Sequence, residues 1–306
     1  MRLHVTNGDA AVEKLRTAGI DGTFLDSFLP WRDVLHDGPV PGDAGAAALR
    51  AIRARFIADA GWSSYGDALA DFERRDATLA TWDDEIVLWF EHDLYDQLQL
   101  LQILTCETAS TDLTLAQSDD YLTSIGADAL RELEARRRTV TDRDRDLATR
   151  AWRAFRASDP HDLDGIARGD TSALPALGPA LARLLEELPS ARNGLSRTEK
   201  QALDAVRDGG ATWRDAFHAS QRRESAAYLG DASFLRVVDG LASCTTPLVA
   251  RDGDALSITA FGRAVAAGDA DHVATNGVDR WLGGTHLHGR DGVWRWDAAP
   301  GHVVRR

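Results

Sequence analysis

The hydrophobic positions along the first 120 residues follow two spacings, one typical of strands and one typical of helices. Short apolar runs predict four strands, at residues 3–5, 23–25, 85–90 and 113–116. Amphipathic stretches between them predict helices, at residues 12–18, 44–60, 65–80 and 94–106. The run at 85–90 is apolar almost throughout, as in a parallel strand that is buried on both faces. This alternation predicts an α/β fold, with a Rossmann-like layered domain and a parallel sheet over residues 1–125.

The remainder of the chain predicts two further parts. Residues 126–190 are charged and helical in pattern, and we interpret them as a helical connector whose arginine run at 136–138 is a solvated helix face. Residues 191–306 begin with Ser196 as a helix N-cap and Glu199 three positions later, which is a capping box. Helices and short strands follow, at residues 212–220, 232–243, 247–250 and 255–259. This order predicts a winged-helix-like α+β domain that ends in a tryptophan-rich tail.

Charge argues against nucleic acid as a partner of the winged-helix-like domain. The formal net charge is −13, and the acidic excess lies in residues 1–189, whereas residues 190–306 are nearly neutral. The third helix of the domain has Arg236 as its only basic side chain and also carries Asp239. A helix that reads DNA presents several basic or amide groups to phosphates and bases. We therefore expect no DNA binding, and we expect the domain to pack against the rest of the protein or a protein partner.

Composition narrows the class of protein further. The 306 residues are 44% hydrophobic and 27% charged, as in a globular protein of two domains. Apolar runs are too short to span a bilayer and the first residues lack a signal-peptide core, so we expect a cytoplasmic protein without a membrane partner. Cys106 and Cys244 lie far apart and have no zinc-finger spacing around them. Lysine is nearly absent and arginine is abundant, which is typical of a bacterial protein from a GC-rich genome.

Polar side chains follow three of the predicted strands at the point where each strand ends. Ligands of open α/β sheets bind beyond the carboxyl ends of the strands, because loops and helix N-termini converge there. The side chains are Asn7 and Asp9 after the first strand, Arg32, Asp33 and His36 after the second, and Glu91, His92, Asp93, Asp96 and Gln97 after the run at 85–90. We expect these side chains to form one polar pocket.

These residue types suggest an acid–base site for an anionic small molecule. His92 lies between two carboxylates, and Glu91 or Asp93 would orient its ring while it transfers a proton. His36 is a second catalytic candidate. Arg32 would bind the anion through its planar guanidinium. The ligand would also contact other polar side chains of the same segments, namely Asn7, Asp9, Asp33, Asp96 and Gln97.

Ordinary structural roles are the alternative for the same residues. A helix N-cap would explain Asp93, and the helix dipole would explain Asp96 in the first turn. A turn would explain the polar residues after the first strand. A clamp within the loop would explain Arg32, paired with Asp33 or Asp37. The sequence leaves these alternatives open.

A divalent metal is a cofactor that the residue types allow, although no motif requires one. The side chains of suitable type are His36, His92, Asp9 and Asp93. The chain has no HExxH zinc motif, no GxxxxGK[ST] phosphate loop, no GxSxG elbow and no GxGxxG after the first strand. The cofactor and the reaction therefore stay unknown at this stage.

Long stretches of the sequence resemble one family. They are residues 4–9, 29–41, 89–98, 276–284 and 294–297. The first three are similar to a bacterial family catalogued as domain of unknown function 1835, and the last two resemble the domain of unknown function that usually follows it. Asp37 stands where this pattern has glutamate, and Thr285 stands where it has valine. The resemblance implies that the three N-terminal segments belong together, and it implies no activity, cofactor or substrate.

Three functions of different classes are consistent with these patterns. The first is an enzyme or small-ligand binder whose pocket at the strand ends takes an anionic small molecule. The second is a regulatory or adaptor protein whose winged-helix-like domain binds a protein or nucleic acid. The third is a structural interaction module, which the absence of a pocket near His92 would favour.

Overall fold

The computed structural model describes residues 1–20, 27–209, 212–299 and 301–306. The elements up to residue 190 are β1 (Arg2–Thr6), α1 (Asp9–Thr17), β2 (Ser27–Pro30), β3 (Gly38–Pro39), α2 (Ala46–Asp59), α3 (Tyr65–Thr81), β4 (Glu85–Phe90), α4 (Leu94–Leu104), β5 (Leu113–Gln117), α5 (Ala127–Ala135), β6 (Arg138–Thr139), α6 (Asp142–Phe155), α7 (His161–Ala167) and α8 (Leu177–Leu185). The later elements are α9 (Arg197–Arg207), α10 (Trp213–Gln221), α11 (Asp231–Ser243), β7 (Val249–Asp252), β8 (Ala255–Ile258), α12 (Ala260–Ala267), α13 (His272–Asn276), β9 (Val278–Gly283), β10 (Thr285–Gly289), β11 (Trp294–Asp297) and β12 (His302–Arg305). Within the described ranges, no helix has both the length and the apolar character needed to cross a bilayer.

A five-stranded sheet with the order β2-β1-β4-β5-β6 organises the N-terminal part. Strands β2, β1, β4 and β5 are parallel, and β6 pairs with β5 as an antiparallel edge strand. Strand β1 lies between β2 and β4, so the connection after β1 leads to one side of it and the chain later returns to the other side. The carboxyl ends of β1 and β4 are therefore neighbours at the point of the sheet where the strand order reverses. The predicted α/β fold with a parallel sheet is confirmed, whereas the strand predicted at residues 23–25 lies outside the described residues.

The side chains of β4 alternate between two buried faces, which explains why helices cover both sides of the sheet. Val87 and Trp89 are buried in a core shared with α1 and α5. Ile86, Leu88 and Phe90 are buried on the opposite face, in a core shared with α4, α6 and α8. Because α5 covers the sheet and β6 extends it, the layered part of the fold continues beyond residue 125.

The chain after residue 190 contributes to two separate cores. Residues between Leu195 and Val265 form one core of their own, built on α9, α10, α11 and the β7–β8 hairpin. The tail instead joins the core of the sheet, for example through Leu282 and Leu287. It is also tied to the first part of the chain by backbone pairing, because β9 runs parallel to β3 with Gly38 opposite Leu282.

Helix α11 packs against the N-terminal part of the protein. The Arg236 guanidinium lies 5.3 Å from the centre of the Phe56 ring and 5.7 Å from that of Trp62, and its Nε lies 3.6 Å from a carboxylate oxygen of Asp37. The basic side chain that a DNA-reading helix would need is therefore engaged within the chain. The capping box predicted at the start of α9 is confirmed.

Packing of the tail onto α6 leads to the first prediction. Gly284 lies against the carboxyl end of α6, where its N–H donates to the Phe155 carbonyl at 2.9 Å, and an added Cβ would overlap the backbone oxygen of Arg156. We expect Gly284→Ala to lower the free energy of unfolding by about 1–3 kcal/mol, the usual cost of overpacking. Urea unfolding followed by circular dichroism measures this change.

Gly240→Ala is the matched control, since a Cβ at this position in α11 meets no atom within 4 Å. It should be neutral or stabilise the protein by up to about 1 kcal/mol. Equal stability of the two variants would show that the tail does not pack against α6 in this way.

Candidate functional site

Three carboxylates converge where β4 ends and α4 begins. Glu91 and Asp93 follow β4 directly, and Asp96 stands in the first turn of α4. One oxygen of each side chain lies within 4.8 Å of the corresponding oxygens of the other two, and all three residues are buried. We call this group the carboxylate cluster.

Helix capping accounts for only part of the carboxylate cluster. Asp93 is the N-cap of α4, and its Oδ1 accepts a hydrogen bond from the Asp96 N–H at 3.1 Å, which confirms the predicted cap. Asp96 interacts favourably with the helix dipole, as predicted, and it also forms hydrogen bonds outside α4. One of its oxygens accepts a hydrogen bond from the Glu91 N–H at 2.5 Å, and the other accepts one from the Asn7 amide at 2.8 Å. Asp96 therefore links the ends of β1 and β4.

Backbone and amide groups around the carboxylate cluster fix it further. The Glu91 carboxylate accepts a hydrogen bond from the Leu122 N–H at 2.7 Å, and the Glu91 carbonyl accepts one from the Gln97 amide at 2.7 Å. The Tyr95 hydroxyl donates to the Asn7 carbonyl at 3.2 Å. The structure thus brings together half of the predicted site residues, namely Asn7, Glu91, Asp93, Asp96 and Gln97.

Burial shifts the protonation of the carboxylate cluster. Loss of hydration raises the pKa of Glu91 to about 7 and the pKa of Asp93 to about 6. Burial also raises the pKa of Asp96, and the neighbouring charges of Asp93 and Glu91 raise it further. Hydrogen bonds from backbone N–H groups oppose these shifts without cancelling them. Full ionisation of the three groups is therefore unfavourable, and the cluster retains protons at a pH where ordinary carboxylates have lost them.

The carboxylate cluster differs from every other buried carboxylate in the described part of the chain. The others each form an ion pair with a basic side chain, as in Asp33–Arg53, Asp144–Arg138, Asp164–Arg168, Glu187–Arg183 and Asp204–Lys200. No ion pair from the described residues reaches Glu91, Asp93 or Asp96. Buried charge is ordinarily paired, so the cluster lacks a counter-charge that the rest of the protein supplies elsewhere.

His92, between Glu91 and Asp93 in the chain, lines a large cavity at the carboxyl ends of β4 and β5. The cavity has a volume of about 930 Å³. We call it the strand-end cavity, and its polar lining consists of His92, Gln117, Ser118, Asp119, Asp120, Glu132, Arg136, Arg138, Arg183 and Ser225. The His92 ring lies 5.6 Å from that of Tyr121 between centres, and its buried Nδ1 has no hydrogen-bond partner among the described residues.

Arg32 and Asp9 pair with each other at the surface. The Arg32 guanidinium donates to the two carboxylate oxygens of Asp9 at 2.7 and 2.5 Å, and it donates to Asp71 at 3.2 Å. This pairing lowers the pKa of Asp9. The guanidinium that we expected to bind an anion is thus occupied by carboxylates. Its partners also differ from the alternative prediction, which named Asp33 and Asp37.

Asp33 braces the loop between β2 and β3. Its Oδ1 accepts hydrogen bonds from Arg53 Nε at 3.0 Å and Nη2 at 2.8 Å, and both side chains are buried. Arg53 also donates to the carbonyls of Val34 and Asp37 at 2.8 and 2.7 Å. The described hydrogen bonds of the Asp33 carboxylate therefore stabilise the conformation of this loop.

His36 lies in a different cavity from His92. Its ring packs edge-on against Tyr95 and Tyr228, with centres 5.9 and 5.0 Å apart. Burial lowers the pKa of His36 to about 4. Together with Arg236 and Arg280 it lines a cavity of about 480 Å³ between the sheet and the C-terminal part. The structure therefore divides the ten predicted residues among several places instead of one pocket.

The arginines of the strand-end cavity were not among the predicted site residues. The pattern of residues 136–138 predicts a solvated helix face, but Arg136 and Arg138 line the cavity while Arg137 pairs with Glu85. The run begins directly after α5 and its last residue, Arg138, begins β6 beside β5, whereas the sequence pattern predicts a helical connector here. The spacing of charges alone could not show which way each side chain points.

Comparison of the sequence with models of protein families and with curated proteins gave no match. The resemblance to domain of unknown function 1835 accordingly stays a prediction.

The raised pKa of Glu91 leads to the second prediction. Its pKa in the folded protein, about 7, lies above the value near 4.3 of an unfolded chain, so the folded state binds more protons between these limits. The free energy of unfolding should therefore fall as pH rises from 5 to 7, by up to about 1.4 kcal/mol per pH unit for one proton. We expect Glu91→Gln, which keeps the oxygen bound to the Leu122 N–H, to flatten this slope.

Urea unfolding at pH 5, 6 and 7 in the presence of a chelator measures the slope. Asp128→Asn, at an exposed residue of α5, is the control and should leave the slope of the wild type unchanged. A wild-type protein whose stability is constant or rises over this range would contradict the described burial of the carboxylate cluster.

Proposed function

We propose that the protein binds a small anionic molecule in the strand-end cavity, either as an enzyme or as a ligand-binding protein. The observation that supports this most is the position of His92, whose ring lines the cavity and is of a type that forms hydrogen bonds with a ligand. The volume of about 930 Å³ is within the range of small-molecule sites.

Arginine side chains support an anion as the ligand. Arg138 and Arg183 line the cavity but are held by Asp144 and by Glu187 and Glu224. Arg136 is different, because its ion pair joins it to Glu132 on the exposed side of α5. Surface pairs of this kind contribute little to stability, so Arg136 can turn to a ligand at low cost. Its guanidinium would bind a phosphate or carboxylate through two parallel hydrogen bonds.

Acidic side chains of the same cavity favour a small anion over a polyanion. Asp119, Asp120 and Glu132 balance the three arginines of the lining. Nucleic acid is bound mainly through many phosphate contacts to a positive surface, which this lining does not offer. A small molecule with one or two anionic groups needs only a local, well-oriented guanidinium. We therefore propose a phosphorylated or carboxylated small molecule as the ligand.

The same residues would serve an enzyme and a binding protein in different ways. In a binding protein, His92 would form a hydrogen bond with the ligand. In an enzyme, His92 would exchange a proton with it, and the adjacent Asp93 would act as a positioning residue for the ring. Turnover of a bound ligand separates the two.

We propose that the winged-helix-like domain, residues 191–306, forms a wall of the cavity and does not read a duplex. Ser225 and Ala226, between α10 and α11, line the strand-end cavity. Arg236 on α11 packs against Phe56 and Trp62. Both contacts direct this part of the chain towards the sheet, which supports a role within the protein over one on DNA.

The third prediction tests the proposed ligand class. We expect Arg136→Gln and His92→Asn each to weaken the binding of inorganic phosphate or citrate about tenfold or more, because a hydrogen bond to a charged group contributes roughly 1.5–3 kcal/mol. Isothermal titration calorimetry with each anion measures the affinities. Thermal unfolding of each variant shows whether the fold is retained.

Arg150→Gln is the control, since Arg150 lies on the exposed face of α6. It should bind both anions as the wild type does. Binding of neither anion by the wild type, or equal binding by the wild type and both cavity variants, would overturn the proposed function.

A further inference from the structure

We propose that the carboxylate cluster binds a divalent cation through oxygen ligands. The geometry is suitable, because the three ligand oxygens of Glu91, Asp93 and Asp96 lie within 4.8 Å of one another. Oxygens on opposite sides of a calcium or magnesium ion are roughly 4.2–5.0 Å apart, given metal–oxygen distances of about 2.1–2.5 Å. The carboxylates therefore converge on a space of the size of one such ion.

Charge pairing in the rest of the protein supports the same conclusion. The other buried carboxylates of the described chain are paired with arginine or lysine, and these three are not. The residues outside the described ranges are aspartate, glycine, threonine, phenylalanine, leucine, alanine and proline, so none carries a basic side chain. Apart from His92, which acts electrostatically on Asp93, the described chain supplies no counter-charge to the cluster, so protons or a cation would provide the rest.

A fourth oxygen near the carboxylate cluster also lacks a partner. Gln97 is 1% exposed, and its amide is turned towards Glu91, whose carbonyl accepts a hydrogen bond from the amide nitrogen at 2.7 Å. The amide oxygen Oε1 is buried without any hydrogen-bond partner in the described structure. An amide oxygen is a common ligand of calcium and magnesium. A cation bound by the carboxylate cluster would give this oxygen a partner, and titration with a divalent cation distinguishes it from the O–H of a protonated carboxyl group.

Hydrogen bonds already orient the carboxylates as they do in metal sites. The Asn7 amide and the Glu91 N–H hold the two oxygens of Asp96, and the Leu122 N–H holds Glu91. Groups that form hydrogen bonds with metal ligands hold those ligands in place. Their removal commonly lowers the affinity for the metal 10- to 100-fold. The cluster therefore needs little rearrangement to accept an ion.

The ligand set favours magnesium, calcium or manganese over zinc or copper. All the proposed ligands are carboxylate or amide oxygens, which hard cations prefer, and neither cysteine nor histidine is among them. The set differs from the one suggested by the sequence. Asp9 is paired with Arg32, and His36 lies in another cavity, so of that group Asp93 is the residue retained.

This inference deepens the proposed function and rests on it for the role of the ion. His92 lies between two of the proposed ligands in the chain and lines the strand-end cavity. A cation held by the two chain neighbours of His92 would add positive charge at the same strand end that an anionic ligand would approach. The binding of the ion itself depends only on the carboxylate cluster.

The test is titration of the full-length, chelator-treated protein with MnCl₂, followed by electron paramagnetic resonance and calorimetry. We expect one tight Mn²⁺ site per chain, with MgCl₂ and CaCl₂ competing for it. Glu91→Gln and Asp96→Asn should each weaken Mn²⁺ binding at least tenfold, because each removes one charged ligand. Asp128→Asn is the matched control on the surface of α5 and should bind Mn²⁺ as the wild type does.

Circular dichroism shows whether Glu91→Gln and Asp96→Asn are folded. If one of them is unfolded, the other still provides the test. No Mn²⁺ binding by the folded wild type would overturn the inference. Mn²⁺ binding that is equal in the wild type and in the folded variants would overturn it as well.

Inorganic phosphate added with and without Mn²⁺ separates this inference from the proposed function. Phosphate binding that depends on His92 and Arg136, in a protein without a Mn²⁺ site, would refute the cation and leave the anion site intact. A Mn²⁺ site that depends on Glu91 and Asp96, in a protein that binds no phosphate or citrate, would support the cation and refute the anion site.

Discussion

Three buried carboxylates that no basic side chain of the described residues pairs with constrain the end of the sheet. The strand β4 ends and the helix α4 begins within three residues, so Glu91, Asp93 and Asp96 are forced close together by the chain itself. The helix N-terminus and several N–H groups ease the charge, but they do not neutralise three carboxylates. A protein that held this arrangement for stability alone would gain from replacing at least one of them. We therefore attribute the arrangement to something that binds there.

The rest of the fold holds this strand end in place. The loop after β2 is braced by the buried pair of Asp33 and Arg53, and the adjacent β3 is paired with β9 from the far end of the chain. This pairing ties the tail to the segment that follows β2. Ser225 and Ala226, between α10 and α11, line the strand-end cavity together with Ala180 of α8. Rigid support of this kind is what a preorganised site requires.

Local patterns could be predicted from the sequence, and long-range partners could not. The buried strand β4, the N-cap Asp93 and the capping box of α9 follow from residue types within a few positions of one another, and the structure confirms them. The partners of Arg32 are 23 and 39 residues away, and nothing in the loop sequence distinguishes them from nearer aspartates. The strand-end rule correctly joined Asn7 to the segment after β4, because parallel strands end at one edge. The charge pattern of residues 136–138 could not distinguish Arg136 from Arg137, because the direction of a side chain depends on tertiary packing.

Titration of the carboxyl carbons of Glu91, Asp93 and Asp96 by ¹³C NMR measures whether the charge of the carboxylate cluster is compensated within the protein. In the metal-free protein, we expect midpoints well above those of ordinary carboxylates, with Glu91 near pH 7. Addition of Mg²⁺ should move the midpoints of all three below pH 5, because the cation supplies the missing charge. Midpoints near pH 4 for all three groups without any metal would mean that the protein already compensates this charge, which would contradict the binding of a cation for that purpose.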